Sequence, residues 1–215
     1  MKGIFIDYTG TMVREDGPYA KKLVEYFLSH SDFDDPVVAT RFVWRMVKDY
    51  EEKSYLDSFI TEDMITDRII QYCAGHYGLS GDFEELRHIW QQSWVHAPLY
   101  DDVKPFFEKS PYPIYVITND GRGYIEESMR LNGLSPAGII SAEDVRAYKP
   151  HKEIFDEAMR VSGLSPHELI HIGDSIESDV KGAIRAGIKP ILIDRTGRTA
   201  GEGFQVIASL DEVFS

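Results

Sequence analysis

A single cysteine, Cys73, occurs in 215 residues. No disulfide can therefore form within the chain, which sets aside the cross-linked scaffold of a small secreted domain. Basic residues are also few: Lys and Arg number 23 against 36 Asp and Glu, a formal net charge of −13. No Lys/Arg-rich run offers a phosphate-backbone face, so no nucleic-acid partner is expected. No stretch approaches the roughly 18 consecutive apolar residues of a membrane span, and the first residues lack the basic and apolar regions of a signal peptide. We therefore expect a soluble, cytoplasmic protein with no membrane partner. Internal repeats and low-complexity segments are absent, and the seven histidines follow no metal-ligand spacing. What is present is 43% hydrophobic residues, ample for one large domain or a core carrying an insert.

The stretch that organises the rest is Ile4-Phe5-Ile6-Asp7-Tyr8-Thr9-Gly10-Thr11-Met12. An apolar strand runs into a carboxylate and then a glycine turn. In an open parallel sheet ligands sit beyond the carboxyl ends of the strands, which puts Asp7 at the mouth of a site. Gly10 lets the backbone turn and bring amides near whatever Asp7 faces. Asp-x-x-Gly is also an ordinary turn, so the rest of the chain decides.

From Pro18 to Ala97 the apolar residues recur at helical spacing: Leu23, Phe27 and Leu28; Phe42, Val43, Met46 and Val47; Ile65, Ile69 and Ile70. A fourth helix is predicted from Phe83 to Val95. The intervening segments 31–36, 58–63 and 78–82 carry turn and N-cap residues. The aromatic residues Tyr26, Phe42, Trp44, Tyr50, Trp90 and Trp94 gather here, as a bundle core or as a surface facing substrate.

From Pro98 onward, continuous apolar strands alternate with helices. Strands are predicted at 113–118, 138–140, 169–173 and 190–193, and helices at 124–131, 153–161 and 178–186; a short strand at 205–207 and a helix at 210–214 close the chain. That pattern implies a parallel sheet covered on both faces, an α/β fold. The first strand must join this sheet, which places the all-α insert as a cap over the strand ends beside Asp7.

Three later segments bring polar groups to that edge. Thr118-Asn119 ends a strand, Lys149-Pro150 precedes a helix, and Gly173-Asp174-Ser175 follows another strand with Asp179 five residues beyond Asp174. Singly these read as a structural threonine, a solvated lysine and helix-capping carboxylates. Together Asp7, Asp174 and Asp179 supply hard oxygen ligands suited to magnesium, while Thr118 and Lys149 add a donor and a positive charge for a phosphoryl group. Asp7 is the candidate nucleophile.

In order and spacing, Asp7-Tyr8-Thr9-Gly10-Thr11, Thr118-Asn119, Lys149-Pro150 and Gly173-Asp174-Ser175-Ile176-Glu177-Ser178-Asp179 resemble the four motifs of the haloacid dehalogenase-like (HAD) hydrolase superfamily. The helical insert resembles the C1-type cap of its subfamily I. The resemblance implies a Rossmann-like catalytic core (residues 1–17 and 98–215), a helical cap domain (18–97), a Mg2+ cofactor and phosphoryl transfer through an aspartyl phosphate. It makes Asp7 the nucleophile and a metal ligand, with Thr9 giving its backbone carbonyl to the metal. Thr118 would bind phosphoryl oxygens, Lys149 would hold nucleophile and phosphate, and Asp174 would bind metal. Asp179 would orient the metal's waters or Lys149. Gly10, Thr11 and Asn119 join Thr118 and Lys149 as expected substrate contacts.

One position departs from the pattern. Phosphatases of this superfamily carry a second aspartate two residues after the nucleophile, as general acid and base; here it is Thr9. Threonine does not ionise near neutral pH and so cannot act as general acid or base, and such catalysis is worth about 10²–10⁴-fold. Threonine there resembles the cation-pumping ATPases, whose aspartyl phosphate persists. Two other branches differ: phosphonoacetaldehyde hydrolases use a cap lysine, for which Lys48 and Lys53 are the candidates, and 2-haloacid dehalogenases need no metal and place an aromatic residue at the Thr9 position. Tyr8 is aromatic but one residue early, pointing the other way. The expectation is a magnesium-dependent phosphohydrolase of a small phosphorylated metabolite, a monomer or weak dimer. The alternatives are a ligand-binding or regulatory protein with a weakened pocket, or a phosphonatase-like C-P hydrolase. Asp57, Glu62 and Asp63 of the cap are candidates to replace the missing acid.

Overall fold

The computed structural model describes residues 1–197 and 203–214. Strand β1 (Gly3–Ile6) is followed by four helices, α1 (Pro18–His30), α2 (Pro36–Lys53), α3 (Glu62–His76) and α4 (Phe83–Val95). The chain then alternates: α5 (Val103–Lys109), β2 (Ile114–Thr118), α6 (Arg122–Asn132), β3 (Gly138–Ser141), α7 (Ala142–Val145), α8 (Lys152–Ser162), β4 (Leu169–Gly173), α9 (Lys181–Arg185), β5 (Lys189–Ile193) and β6 (Gln205–Ile207).

The helical starts have local causes. Asp35 accepts from the amides of Val37 and Val38, Thr61 from Met64, and Asp82 from Glu84 and Glu85, so α2, α3 and α4 each open on a side-chain cap. Proline occupies the first turn of α1 and α2, where no amide partner is lost. Glycines in the left-handed region, Gly133 and Gly163, end α6 and α8.

All six strands are parallel, in the order β3-β2-β1-β4-β5-β6. Chain direction across the sheet reverses between β1 and β4, the topological switch point at which such sheets open a crevice. Register places Ile6 beside Ile172 and Val116, so Asp7, Gly173 and Thr118 arrive together at one edge. Strand alternation splits the core: Ile4 and Ile6 pack on one face with Val116 and Ile172, while Phe5 and Ile117 face the other, where the core runs on through Ile154 and Phe155. That second core is continuous with the helical bundle, and Phe59 stacks on Tyr148 (5.1 Å) and Trp94 on Tyr124 (5.1 Å) across the junction.

Two expected elements take a different form. The helix expected at 178–186 begins as a π-turn over Ile176–Val180, where Ser175 Oγ accepts from the Ser178 amide and swings Asp179 back toward the strand end. The final helix is a single 3₁₀ turn, Leu210–Glu212. Among the six bundle aromatics, Tyr26, Trp90 and Trp94 are buried, whereas Trp44 is 37% exposed. No helix among the described residues is long and apolar enough to cross a membrane.

Leu86 is fully buried at the centre of the bundle. Leu86→Ala is expected to lower unfolding free energy by about 2–5 kcal/mol, read from urea denaturation.

Candidate active site

Past Ile6 the chain folds straight back. The amides of Met12 and Val13 both donate to the Tyr8 carbonyl (2.8 and 3.1 Å), and the Gly10 amide donates to that of Val13 (3.0 Å). The turn requires glycine twice over: Gly10 has φ +83°, and a Cβ there would stand 2.5 Å from Asp174 Oδ2. Tyr8 is fully buried away from the crevice, donating to the Trp94 carbonyl (3.1 Å) with its hydroxyl 2.6 Å from Ser128 Oγ. Thr9 faces the other way and donates to Asp120 Oδ2 (2.9 Å). The far side of the loop is pinned from β5's end: Arg195 donates to the Thr11 carbonyl (2.8 Å), pairs with Asp102 and lies 3.7 Å over the Tyr100 ring.

Lys149 is buried between two carboxylates, its Nζ 2.5 Å from Asp7 Oδ1 and 2.7 Å from Asp179 Oδ1. Asp179 Oδ1 also accepts from His171 Nε2 (2.9 Å), and its Oδ2 accepts from the Ser175 amide (3.1 Å). A carboxylate can only accept, so Nε2 carries the imidazole proton. Burial holds His171 below its ordinary pKa and hence neutral. Both Asp179 oxygens are thus engaged, and of its two expected roles the geometry displays the one that holds Lys149.

Asp174 completes the acidic set, and one carboxylate oxygen from each of Asp7, Asp174 and Asp179 lies within 4.8 Å of the others. Asp7 Oδ2 is buried with no hydrogen-bond partner. Burial, outweighing Lys149, pushes Asp7 well above the carboxylate range, with Asp179 and Asp174 adding to the rise. Asp174 meets solvent at the mouth of the crevice, yet the protein packed around its carboxyl, and then the charge of Asp179, raise it to about 6. In Asp179 the pull of Lys149 and His171 overcomes burial and holds the carboxyl low, and Lys149 itself stays protonated because Asp179 and Asp7 outweigh its own burial. Three carboxylates against one ammonium leave excess negative charge, and hard oxygen donors with an unpartnered buried oxygen suit a divalent cation such as Mg2+.

The remaining sequence candidates sit around this centre. The Thr118 hydroxyl donates to Asp120 Oδ2 (2.6 Å) and accepts from the Asp120 amide (3.0 Å). Asn119 bridges core and cap, its Oδ1 accepting from the Lys149 amide (2.8 Å) and its Nδ2 donating to Glu51 Oε1 (3.1 Å). Thr11 is fully enclosed. Of the three cap acids, Asp57 is exposed, Asp63 accepts from Tyr124 Oη (2.7 Å), and buried Glu62 accepts from the Gly121 amide (2.9 Å). Burial, then Asp120 and Glu51, hold Glu62 well above the carboxylate range. Lys48 pairs with Glu51 (2.9 Å), which outweighs burial and keeps it a charged amine rather than a nucleophile.

Four residues here escaped the sequence reading. Asp120 follows Thr118-Asn119 directly and receives two hydroxyls. His171 is the lone polar residue inside an apolar strand, a signal that was there to use. Glu51 has a local signal only toward Lys48, three residues before it; nothing marks its reach to Asn119, since it is one of several acids on α2. Glu15 has no local signal: although it meets solvent, burial among the cavity walls, then the charges of Asp174 and Asp120, raise its carboxyl to about 7.

Beside Thr9 opens a cavity of about 670 Å³ between the motif loop and α1, α2 and α4. Its walls are mostly apolar, with Thr9, Glu15 and Glu62 among its polar members.

A sequence profile of the haloacid dehalogenase-like hydrolases matches residues 1–187. The chain belongs to that family. This HAD-like hydrolase is similar in fold to the HAD-hydrolase YfnB of Bacillus subtilis bound to magnesium, at 20% identity and a TM-score of 0.82 over 99% of this chain and 96% of that one. It is also similar to the L-2-haloacid dehalogenase of Xanthobacter autotrophicus (17% identity, TM-score 0.79, 98% and 95% covered) and a HAD phosphatase of Thermococcus onnurineus (23%, 0.61, 99% and 95%). No curated protein sequence matches.

Between the ordinary glutamate value and about 7 the folded chain holds a proton on Glu15 that the unfolded chain has released, so this group's contribution to stability falls as pH rises through that window. Glu15→Gln removes the fall. In chelator, the melting temperature of the variant relative to wild type is expected to climb from pH 4.5 to pH 7 (about the range between the two pKa values) and then level off, as scanning calorimetry would read.

Proposed function

We propose that this HAD-like hydrolase is a magnesium-dependent phosphohydrolase of a small phosphorylated metabolite, working through an aspartyl phosphate on Asp7. The observation that carries the reading is the excess of carboxylate around Lys149, with Asp7 Oδ2 left unpartnered. A doubly charged phosphate approaches such a centre only if a cation neutralises it first. Asp7 and Asp174, with the Thr9 carbonyl, would hold Mg2+, and Asp179 would support them. The ion supplies charge neutralisation at the phosphoryl oxygens.

The chain's own residues do the rest. Lys149 fixes the Asp7 carboxyl from one side, and its charge together with that of a bound cation would hold Asp7 ionised against burial, so that its free oxygen attacks phosphorus. Asp179 and His171 hold Lys149 in place. The Thr118 proton is given to Asp120, and rotating that hydroxyl would turn it to a phosphoryl oxygen. Thr9 offers no acid to the leaving group, so formation and hydrolysis of the aspartyl phosphate depend on the leaving group and on water.

A second reading, metal-free dehalogenation, draws on the Asp7–Lys149 pair, which presents a carboxylate nucleophile without any metal, and on the apolar cavity beside Thr9. Thr9 in place of an aromatic residue weighs against it. A third, a ligand-binding or regulatory role with lost turnover, rests on Thr9 alone, and the charged state of Lys48 weighs against a phosphonatase-like imine.

With magnesium and excess acetyl phosphate, rapid-quench kinetics is expected to give a burst of about one equivalent of phosphate on the protein followed by slow turnover. Asp7→Asn should abolish both, and Thr9→Asp should speed the steady state by about 10²–10⁴-fold. Chloride release from 2-chloropropionate in chelator, without any phosphoprotein, would establish dehalogenation instead. Saturable ligand binding with neither product would establish the binding role.

A further inference from the structure

The cavity beside Thr9 and the chemistry of Thr9 point to one substrate class. We propose that the substrate is an aryl phosphate, the monophosphate of a bulky apolar phenol, whose ring system occupies the cavity between the cap helices and Thr9. This rests on the phosphohydrolase reading and narrows it.

The first observation is the shape and lining of the space. At about 670 Å³ it is the size of a small-molecule site. It starts at Thr9, and its walls are built from Leu23 and Phe27 of α1, Val43, Trp44 and Val47 of α2, and Trp90 of α4. Trp44 is a large apolar ring left 37% exposed on that wall. Arg14, Asp16, Lys21 and Arg41 also border the space, but polar atoms form only a small share of its exposed lining, so a sugar or nucleotide leaving group would leave most of that surface unmatched, and each hydroxyl desolvated without a hydrogen bond lowers affinity. A fused or substituted aromatic ring meets complementary surface.

The second observation is independent of the cavity. An alkyl alcohol is a poor leaving group unless an acid protonates its oxygen as the P–O bond breaks, and Thr9 stands where that acid is missing. A phenolate needs no such help, since a phenol ionises near pH 10. Asp7 Oδ2 attacks phosphorus, the P–O(aryl) bond breaks, and the electron pair leaves on the phenolate, which takes a proton from water. A water molecule then attacks the aspartyl phosphate, releasing inorganic phosphate and a proton and restoring the Asp7 carboxylate.

All three tryptophans of the chain, Trp44, Trp90 and Trp94, line this cavity, so intrinsic fluorescence reports its occupancy without any turnover. The test titrates 1-naphthol into wild type and Val43→Arg, and measures kcat/KM with magnesium for 1-naphthyl phosphate, 2-phenylethyl phosphate and glycerol phosphate. Expected are saturable quenching by naphthol that weakens about tenfold or more in Val43→Arg, and a preference for the naphthyl ester over both alkyl esters of about a hundredfold or more. The naphthyl-to-glycerol ratio should collapse in Val43→Arg, and Trp44→Ala provides a milder lesion if that variant fails to fold. Equal turnover of glycerol phosphate would overturn the substrate class while leaving the phosphohydrolase reading intact. Fast cleavage of 2-phenylethyl phosphate that is lost in Glu15→Gln would overturn it too, by making Glu15 the acid. Saturable quenching with no phosphate released from any of the esters or from acetyl phosphate would overturn both the substrate class and the reading beneath it.

Discussion

The contact on which the rest of the site depends is the buried ammonium of Lys149 held between Asp7 and Asp179. Each charge is removed from water, and removing one partner of such a group leaves an uncompensated buried charge worth about 3–5 kcal/mol. The surrounding structure is built to satisfy it. Asn119 fixes the Lys149 backbone, His171 and the Ser175 amide saturate Asp179, and the glycines at positions 10 and 173 make room for the carboxylates. A Cβ on Gly173 would fall 2.2 Å from Asp179 Cγ, so no other residue type leaves the aspartate where it stands.

The cap is tied to the same place. Glu51 reaches Asn119 and Glu62 reaches the Gly121 amide, so both cap glutamates act on the loop that follows β2. The cap therefore has two jobs in one geometry: it walls the apolar cavity and braces the loop that holds the Lys149 backbone. Water exclusion by such a cover strengthens the electrostatics inside it.

Much of this was legible before any coordinates. An apolar strand ending in Asp7, a helical stretch without β alternation and then a run of β-α units were enough for the sheet, the insert and the edge at which Asp7, Thr118 and Asp174 meet. Asp120, Glu15 and Glu51 were not legible. Each is an acid among 36 Asp and Glu in a chain of net charge −13, and nothing in local pattern separates an acid aimed at a site from one aimed at water. His171 lies between, since a histidine in an apolar strand signals a buried partner without naming it.

By itself the sequence determined what is local or periodic: which segments are strands, which helices are capped, where Gly10 permits a turn, and that Thr9 has no group that ionises near neutral pH. Tertiary structure alone decided what depends on long-range approach. The reversal of strand order at β1 and β4 made the crevice, the π-turn at 176–180 carried Asp179 onto Lys149 and His171, and the packing of α1, α2 and α4 left Trp44 on the wall of an open cavity instead of in the core. The physical reason is that hydrophobic periodicity specifies faces, whereas the meeting of particular polar groups depends on register and packing between elements far apart in the chain.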